Sequence, residues 1–316
     1  MNLTEYAMKY KLYKMNFTSP VHFGEGHLGG SSECFLADRL FSALYIEAMK
    51  TGRDTAEKLC KAADNGELLL SDGLPYIGGE LYIPKPVIRI DGGESSSVLK
   101  KAFKKLTYVP VSRLDEYLSG ALSPIDEAEK LKQLGRYTDT TRAAIRNDTD
   151  DALPYRVGTY SFSSGSGLYF IAGYENQEIF NLLDDTIMSL GYTGIGGKVS
   201  SGLGKFSAFP EDVPAVMLDR LTGEHDRYIT LSVSMAKDEQ LEKALENSGY
   251  MLIKRSGFIS SQTYAETQRK KREMYCFAAG SCFENRFDGY IADLSDGGEH
   301  PVYRYAVPMF MGVELP

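Results

Sequence analysis

The sequence has no tryptophan and, in 316 residues, only four cysteines and four histidines. Cys34, Cys60, Cys276 and Cys282 make no C-x-x-C and no zinc-type spacing, so reduced thiols in a cytoplasmic setting are expected. His22, His27, His225 and His300 make no H-E-x-x-H, and there is no G-x-S-x-G or Gly-Gly-Asp-Asp. Metalloprotease, serine-hydrolase and nucleotide-cyclase chemistry therefore lack their residues. No apolar run reaches the ~18 residues of a membrane span, and Met1–Tyr6 lacks the basic-then-apolar layout of a signal peptide. No metal, cofactor or membrane contact is expected.

Acidic residues are abundant overall but missing from particular stretches. The net charge is −8 and the pI about 5.2, which argues against an indiscriminate nucleic-acid binder. Yet no Asp or Glu occurs from Tyr6 to Gly24, Thr186 to Pro210, Asn247 to Ala265, or His300 to Val313. Those stretches hold Lys9, Lys11, Lys14, Lys198, Lys205, Lys254, Arg255 and Arg304. An acidic body with acid-free lanes suggests a defined anionic track.

One lane contains the densest glycine pattern in the chain. Gly191–Phe206 has six glycines in sixteen residues, two lysines, two adjacent serines and no acid. Glycine permits positive φ and close backbone approach, and successive N–H groups in such a turn can form an anion-binding nest. Lys198 and Lys205 add charge; Ser200 and Ser201 add hydroxyl donors. A P-loop is excluded, because Val199 follows Gly197-Lys198 where Ser or Thr is needed. A dinucleotide G-x-G-x-x-G from Gly194 fails at the same Val199. What remains is G-x-G, five residues, G-x-G, at Gly194, Gly196, Gly202 and Gly204. A flexible surface loop is the alternative, but the regular apolar residues Ile195, Val199, Leu203 and Phe206 speak against it.

The periodicities outline an α+β chain. Residues 8–17 alternate basic with apolar as a half-buried strand does. Leu36, Leu40, Phe41, Leu44 and Ala48 fall at helical spacing within 35–50, and Gly52 ends the run. Strand, loop and helix in that order begin a ferredoxin-like βαββαβ unit. Strands at 154–163 and 167–173, a helix at 176–190 and a strand through Phe209 complete it. Residues 86–156 differ in character, with a serine patch, a lysine cluster and the polar stretch 138–151; they read as an insertion without a core strand. Pro210–Pro214 reads as a domain boundary. Strands at 227–236, 250–259, 270–279 and 302–311, with a helix at 238–247, suggest a second, degraded unit. The expected fold is two tandem ferredoxin-like (RRM-like) βαββαβ modules, 1–212 and 213–316, with an insertion at about 86–156 and the glycine-rich loop at 191–206.

The glycine loop, late in a module and after a helix, resembles that of the RAMP superfamily of CRISPR-associated RNA-binding proteins. Phe17-Thr-Ser-Pro-Val-His-Phe-Gly-Glu-Gly26 with Ala37-Asp-Arg-Leu-Phe-Ser-Ala-Leu44 resembles the amino-terminal signature of that superfamily. With His300-Pro-Val-Tyr-Arg-Tyr305 as well, the chain is most similar to the guide-holding subunit (subunit four) family of type III-A (Csm) effector complexes. The resemblance implies a non-catalytic subunit that holds the repeat-derived 5′ handle of the guide RNA. It implies docking to the large polymerase-like subunit and to a backbone subunit. It also makes 86–156 a thumb, with Arg142 and Arg146 near the target RNA.

The site residues follow from both readings. Gly194, Gly196, Gly197, Lys198, Ser200, Ser201, Gly202, Gly204 and Lys205 would grip phosphates. His22 with Gly24 and Gly26 would let a phosphate or base lie over the first strand; alternatively His22 is a capping donor in a strained loop. Arg39 and Ser42 lie in the first turns of a helix, whose N-terminus attracts phosphate, and Asp38 beside them reads as an exposed residue on a core helix. Arg255 and Arg304 either widen the track or are ordinary solvated charges. The enzymatic alternative is a metal-independent endoribonuclease that processes guide precursors, with His22 or His27 moving the 2′-OH or leaving-group proton and Lys198 steadying the phosphate.

Overall fold

The basic–apolar alternation at the start of the chain forms a central strand. The structure, a computed structural model, describes residues 8–24, 28–89, 97–145, 152–261 and 263–314. Its first part runs β1 (Lys9–Phe17), β2 (Phe23–Gly24), β3 (Ser31–Ser32), α1 (Ala37–Thr51), α2 (Arg53–Asp64), β4 (Leu68–Leu70), β5 (Leu74–Ile77), β6 (Glu80–Pro84), α3 (Ser97–Lys105) and β7 (Tyr108–Pro110). It continues through α4 (Leu114–Leu118), α5 (Pro124–Leu131), β8 (Gly135–Ile145), β9 (Ala152–Phe162), β10 (Ser166–Tyr174), α6 (Gln177–Thr193) and β11 (Phe206–Asp212). The remainder is α7 (Ala215–Thr222), β12 (Arg227–Thr230), α8 (Asp238–Leu245), β13 (Leu252–Arg255), β14 (Met274–Phe277), β15 (Cys282–Phe283), β16 (Ile291–Asp293), β17 (Tyr303–Tyr305) and β18 (Phe310–Val313).

The main sheet is antiparallel, in the order β11-β1-β10-β5-β6-β7, with β4 also paired to β10. Tyr13 of β1 faces Phe170 on one side and Pro210 on the other. Pro210 is tolerated because β11 is an edge strand. Successive strand residues point to opposite faces, and here both faces are covered. Tyr13 and Met15 pack against Leu40, Phe41 and Leu44 of α1 and Leu183 and Ile187 of α6. Leu12 packs on the other face with Tyr169, Ile171, Ile229, Met311 and Val313. Helix α6 starts where the Asn176 side chain accepts from the Ile179 amide at 3.0 Å.

Two expectations change. The segment 86–156 is not one projecting insertion. β7 extends the main sheet, and Leu106, Val109, Leu114, Tyr117, Leu118 and Leu122 are buried in the core that holds Leu12. In the β8–β9 ribbon, whose pairing runs from Gly135↔Phe162 to Ile145↔Ala152, residues 136–143 and 154–156 are not buried. Beyond β11 the strands are two to four residues long and form a three-stranded sheet, β15-β12-β18, plus the pairs β13-β14 and β16-β17. The one helix described between β12 and β18 is α8. The helix expected at 238–247 is α8, but instead of one second sheet these pieces wrap the first sheet, because its back face needs an apolar cover. Among the described residues no helix is long and apolar enough to cross a membrane.

Candidate nucleic-acid interface

The four glycines of the G-x-G pairs all take positive φ, from 75° at Gly204 to 103° at Gly196. At Gly196 space is also closed: a Cβ there would lie 2.8 Å from the His22 carbonyl oxygen. The loop is anchored. The amides of Gly194, Ile195, Gly197 and Gly204 donate to Leu190, Gly204, His22 and Pro20, and Ile195 and Leu203 are buried. It is therefore part of the core at its ends. The amides of Gly196, Lys198, Val199 and Ser200, by contrast, have no acceptor among the described residues.

Lys198 is left-handed (φ 61°, ψ 26°) and leads into a 3-10 turn over Val199–Ser201. A left-handed residue followed by a right-handed one turns three successive N–H groups to one side, as an anion nest requires. Non-glycine residues hold this conformation at some cost, and such strain gathers at functional sites. Ser200, Ser201 and Lys205 are exposed around the nest. Neither lysine of the loop forms an ion pair among the described residues.

Three further segments converge on the nest. Phe17 stacks on Phe162 at 4.8 Å and touches Phe23 and Phe206, tying β1, residues 18–24, the ribbon and β11 together. His22 is buried, with Nδ1 2.6 Å from the Gly158 carbonyl oxygen, so Nδ1 carries the proton. The imidazole fills the space beside Gly24 and Gly197, where a Cβ would stand 3.3 Å from Nε2 and 2.7 Å from Cδ2 respectively. Arg39 donates to the Gly24 carbonyl at 3.0 Å and lies over the Phe23 ring. The Lys198 ammonium sits 5.3 Å from the centre of the Tyr155 ring. Tyr155 pairs with Arg142 across the ribbon, and Arg136 falls on that same face by the two-residue alternation. Tyr155 and Arg136 were not anticipated; the threonines at 138, 140 and 141 were the available sign that this polar stretch is a strand. Gly26, His27 and Arg146 lie outside the described residues.

Three expected residues lie elsewhere. Arg255 donates through Nε and an Nη to the two Asp38 oxygens at 3.0 and 2.9 Å, and Arg304 donates to Asp38 as well. Arg304 is 4% exposed, so it is removed from the phosphate track, and Arg255 faces inward too. Asp38 is buried rather than exposed. Burial raises its pKa, but Arg255 and then Arg304 outweigh that and hold the carboxyl below its usual range. Ser42, one turn along α1 from Asp38, opens into a separate cavity. The other acid-free lanes are also matched in space: Lys11 with Asp212 at 2.7 Å, Lys14 with Glu211 at 3.2 Å and Lys254 with Glu273 at 2.6 Å. Among the described residues no group of three His, Cys, Asp or Glu side chains is placed to hold a metal.

Residues 223–313 match the family described as the CRISPR Csm4 C-terminal domain. Over the full length, the chain is 37% identical across 308 residues to the CRISPR system protein Csm4 of Mycobacterium tuberculosis, covering 97% of this chain and 98% of that protein. The chain belongs to the Csm4 family. The Csm4 protein of Streptococcus thermophilus is 34% identical over 318 residues, covering 98% and 100% of the two chains. The fold is similar to a chain of the Csm3–Csm4 subcomplex of the type III-A CRISPR-Cas interference complex, with TM-score 0.66, 19% identity and 96% and 99% coverage. It is also similar to a chain of a Csm1–Csm4 cassette solved with cA4, with TM-score 0.61, 20% identity and 97% and 98% coverage.

Proposed function

We propose that this Csm4-family chain is the non-catalytic guide-holding subunit of a type III-A CRISPR effector complex acting in antiviral defence. It grips the 5′ repeat-derived handle of the guide RNA and docks the large polymerase-like subunit and the backbone subunit. The observation that carries this reading is the set of amides at Gly196, Lys198, Val199 and Ser200 that have no acceptor among the described residues, in a loop whose two lysines form no ion pair among them. Single-stranded RNA is gripped by its phosphates while splayed bases are read by stacking and edge contacts. His22, Gly24 and Arg39 adjoin the nest, and Tyr155, Arg142 and Arg136 extend it along the ribbon towards a bound target RNA. In support, the relatives in solved assemblies are described with Csm1 and Csm3. We read the first part as a ferredoxin-like module, since β11-β1-β10-β5 with α1 and α6 on one face has that module's strand order.

The test is RNA affinity at several salt concentrations for wild type and Lys198→Ala, using RNA that carries the common 5′ handle. Loss of one phosphate contact should weaken binding across sequences and flatten the salt slope by about 0.7. An unchanged slope in a folded Lys198→Ala protein would remove the loop from the RNA site. The purified chain is expected to leave repeat-containing RNA uncut. Cleavage that His22→Ala abolishes would favour the processing endoribonuclease instead.

A further inference from the structure

Along α1 from Asp38 lies a cavity of about 550 Å³ between the helix and residues 259–261, 263, 271 and 299–303. Its size is that of a small-ligand site. The rings of Phe41, Tyr45 and Tyr303 contribute to its wall, with Tyr45 and Tyr303 edge to face at 5.6 Å. Ser42 and Ser261 bring hydroxyls, and His300 holds Ser261 with Nε2 2.8 Å from its Oγ.

The decisive feature is charge. Lys271 lines the cavity, is half-buried, and makes no side-chain hydrogen bond or ion pair among the described residues. Burial and then the neighbouring Arg304 push its pKa down to about 8. Asp38, whose charge acts on Lys271, is already engaged by Arg255 and Arg304. Asp38 is thus shared by Arg255 and Arg304, and the half-buried Lys271 ammonium beside them favours an incoming anion. The carboxylates that line the cavity make no ion pair with Lys271 among the described residues: Glu57 is paired with Arg53 at 2.8 Å, and Glu299 is exposed.

We propose that this cavity binds a nucleoside phosphate, with Lys271 on the phosphate and the base against the Tyr45 and Tyr303 rings. A carboxylate of an acidic peptide would satisfy the ammonium but leave the aromatic wall without a flat partner. The phosphate has two possible sources, a free nucleotide or one nucleotide of a bound RNA strand. The cavity does not include the glycine loop, so AMP binding is unchanged in Lys198→Ala.

The experiment titrates AMP and inorganic phosphate into the full chain by calorimetry, and RNA by anisotropy, for wild type, Lys271→Met, Lys271→Arg and Tyr45→Leu. Loss of a hydrogen bond to a charged group predicts AMP binding at least about tenfold weaker in Lys271→Met, with substantial recovery in Lys271→Arg. Tyr45→Leu should weaken AMP while leaving inorganic phosphate unchanged. AMP binding that persists under saturating RNA identifies a free nucleotide. AMP that competes with RNA, together with weaker RNA binding in Lys271→Met, identifies a nucleotide of the strand. AMP and RNA affinities that ignore Lys271→Met overturn the proposal, as does inorganic phosphate binding as tightly as AMP. So does a Lys271→Met defect confined to binding of the large partner subunit. Lys271→Met removes a poorly solvated charge, so a melting temperature at or above wild type certifies that the variant is folded.

Discussion

Lys198 and Arg304 come from stretches equally free of acidic residues, and the fold treats them oppositely. Lys198 stands in a left-handed turn among unsatisfied amides, with an aromatic ring as its described contact. Arg304 is buried against Asp38, which comes from the other end of the chain. The first arrangement leaves charge and donors for something outside the protein, while the second neutralises charge within it. Local sequence composition thus reports where acids are absent along the chain, whereas function depends on where they are absent in space.

The sharpest way to break this comparison is Asp38→Ala. It leaves Arg255 and Arg304 buried without their carboxylate and should destabilise the fold by about 3–5 kcal/mol. Denaturant titration measures this; a loss below about 1 kcal/mol would mean that water, not Asp38, balances those guanidiniums.

Asp72 gives the next largest effect. Its carboxyl accepts from the amides of Ala37 at 2.7 Å and Val233 at 2.9 Å, linking α1 to the C-terminal part. Burial outweighs these two bonds and raises its pKa from 3.8 to about 7. Between those values the folded chain keeps a proton that the unfolded chain releases. Stability should therefore fall as pH rises from about 4 to 7, by up to about 1.4 kcal/mol per pH unit, and level off above. Melting curves across that range should be flatter in Asp72→Asn, which keeps the acceptor and cannot ionise.

On the loop side, Gly196→Ala should cost about 1–3 kcal/mol of stability and displace residues 18–24, because φ and space both oppose it. Gly202→Ala meets open space and only an unfavourable φ of 82°, so about 1 kcal/mol is expected. Equal losses in the two variants would deny that the His22 carbonyl closes the loop. The smallest effect is expected from joining Thr140 to Val157 by a short turn. That removes Arg142 and Tyr155 but, among the described residues, no core residue, so the melting temperature should hold while RNA affinity drops.

Much of the front of the molecule was readable from residue patterns. The strand at 9–17, the helices α1 and α6, and the glycine positions that take positive φ each follow from local rules. The buried role of 106–122 was not readable, because Leu106, Val109, Leu114 and Leu118 sit between lysines and short turns without a sustained period. The Asp38 cluster was invisible for a different reason. Its members are 217 and 266 residues apart, and nothing local marks Asp38 as the residue that meets two arginines. The nest was half readable: the glycines announced a turn, but which amides remain unsatisfied depends on contacts with His22 and Pro20.

The strand that helps close the back of the main sheet, β18, is the last described element to be synthesised. When β11 leaves the ribosome, the sheet is complete and its helices are in place, but Leu12, Tyr169 and Ile171 still lack Met311 and Val313. About a hundred residues follow, which at usual elongation rates is roughly 5–20 s. For that interval the nascent chain carries a finished sheet whose back face is covered only in part, by residues 106–122. A ribosome-stalled chain ending after β11 should therefore recruit holdase chaperones, and one extended past β18 should release them.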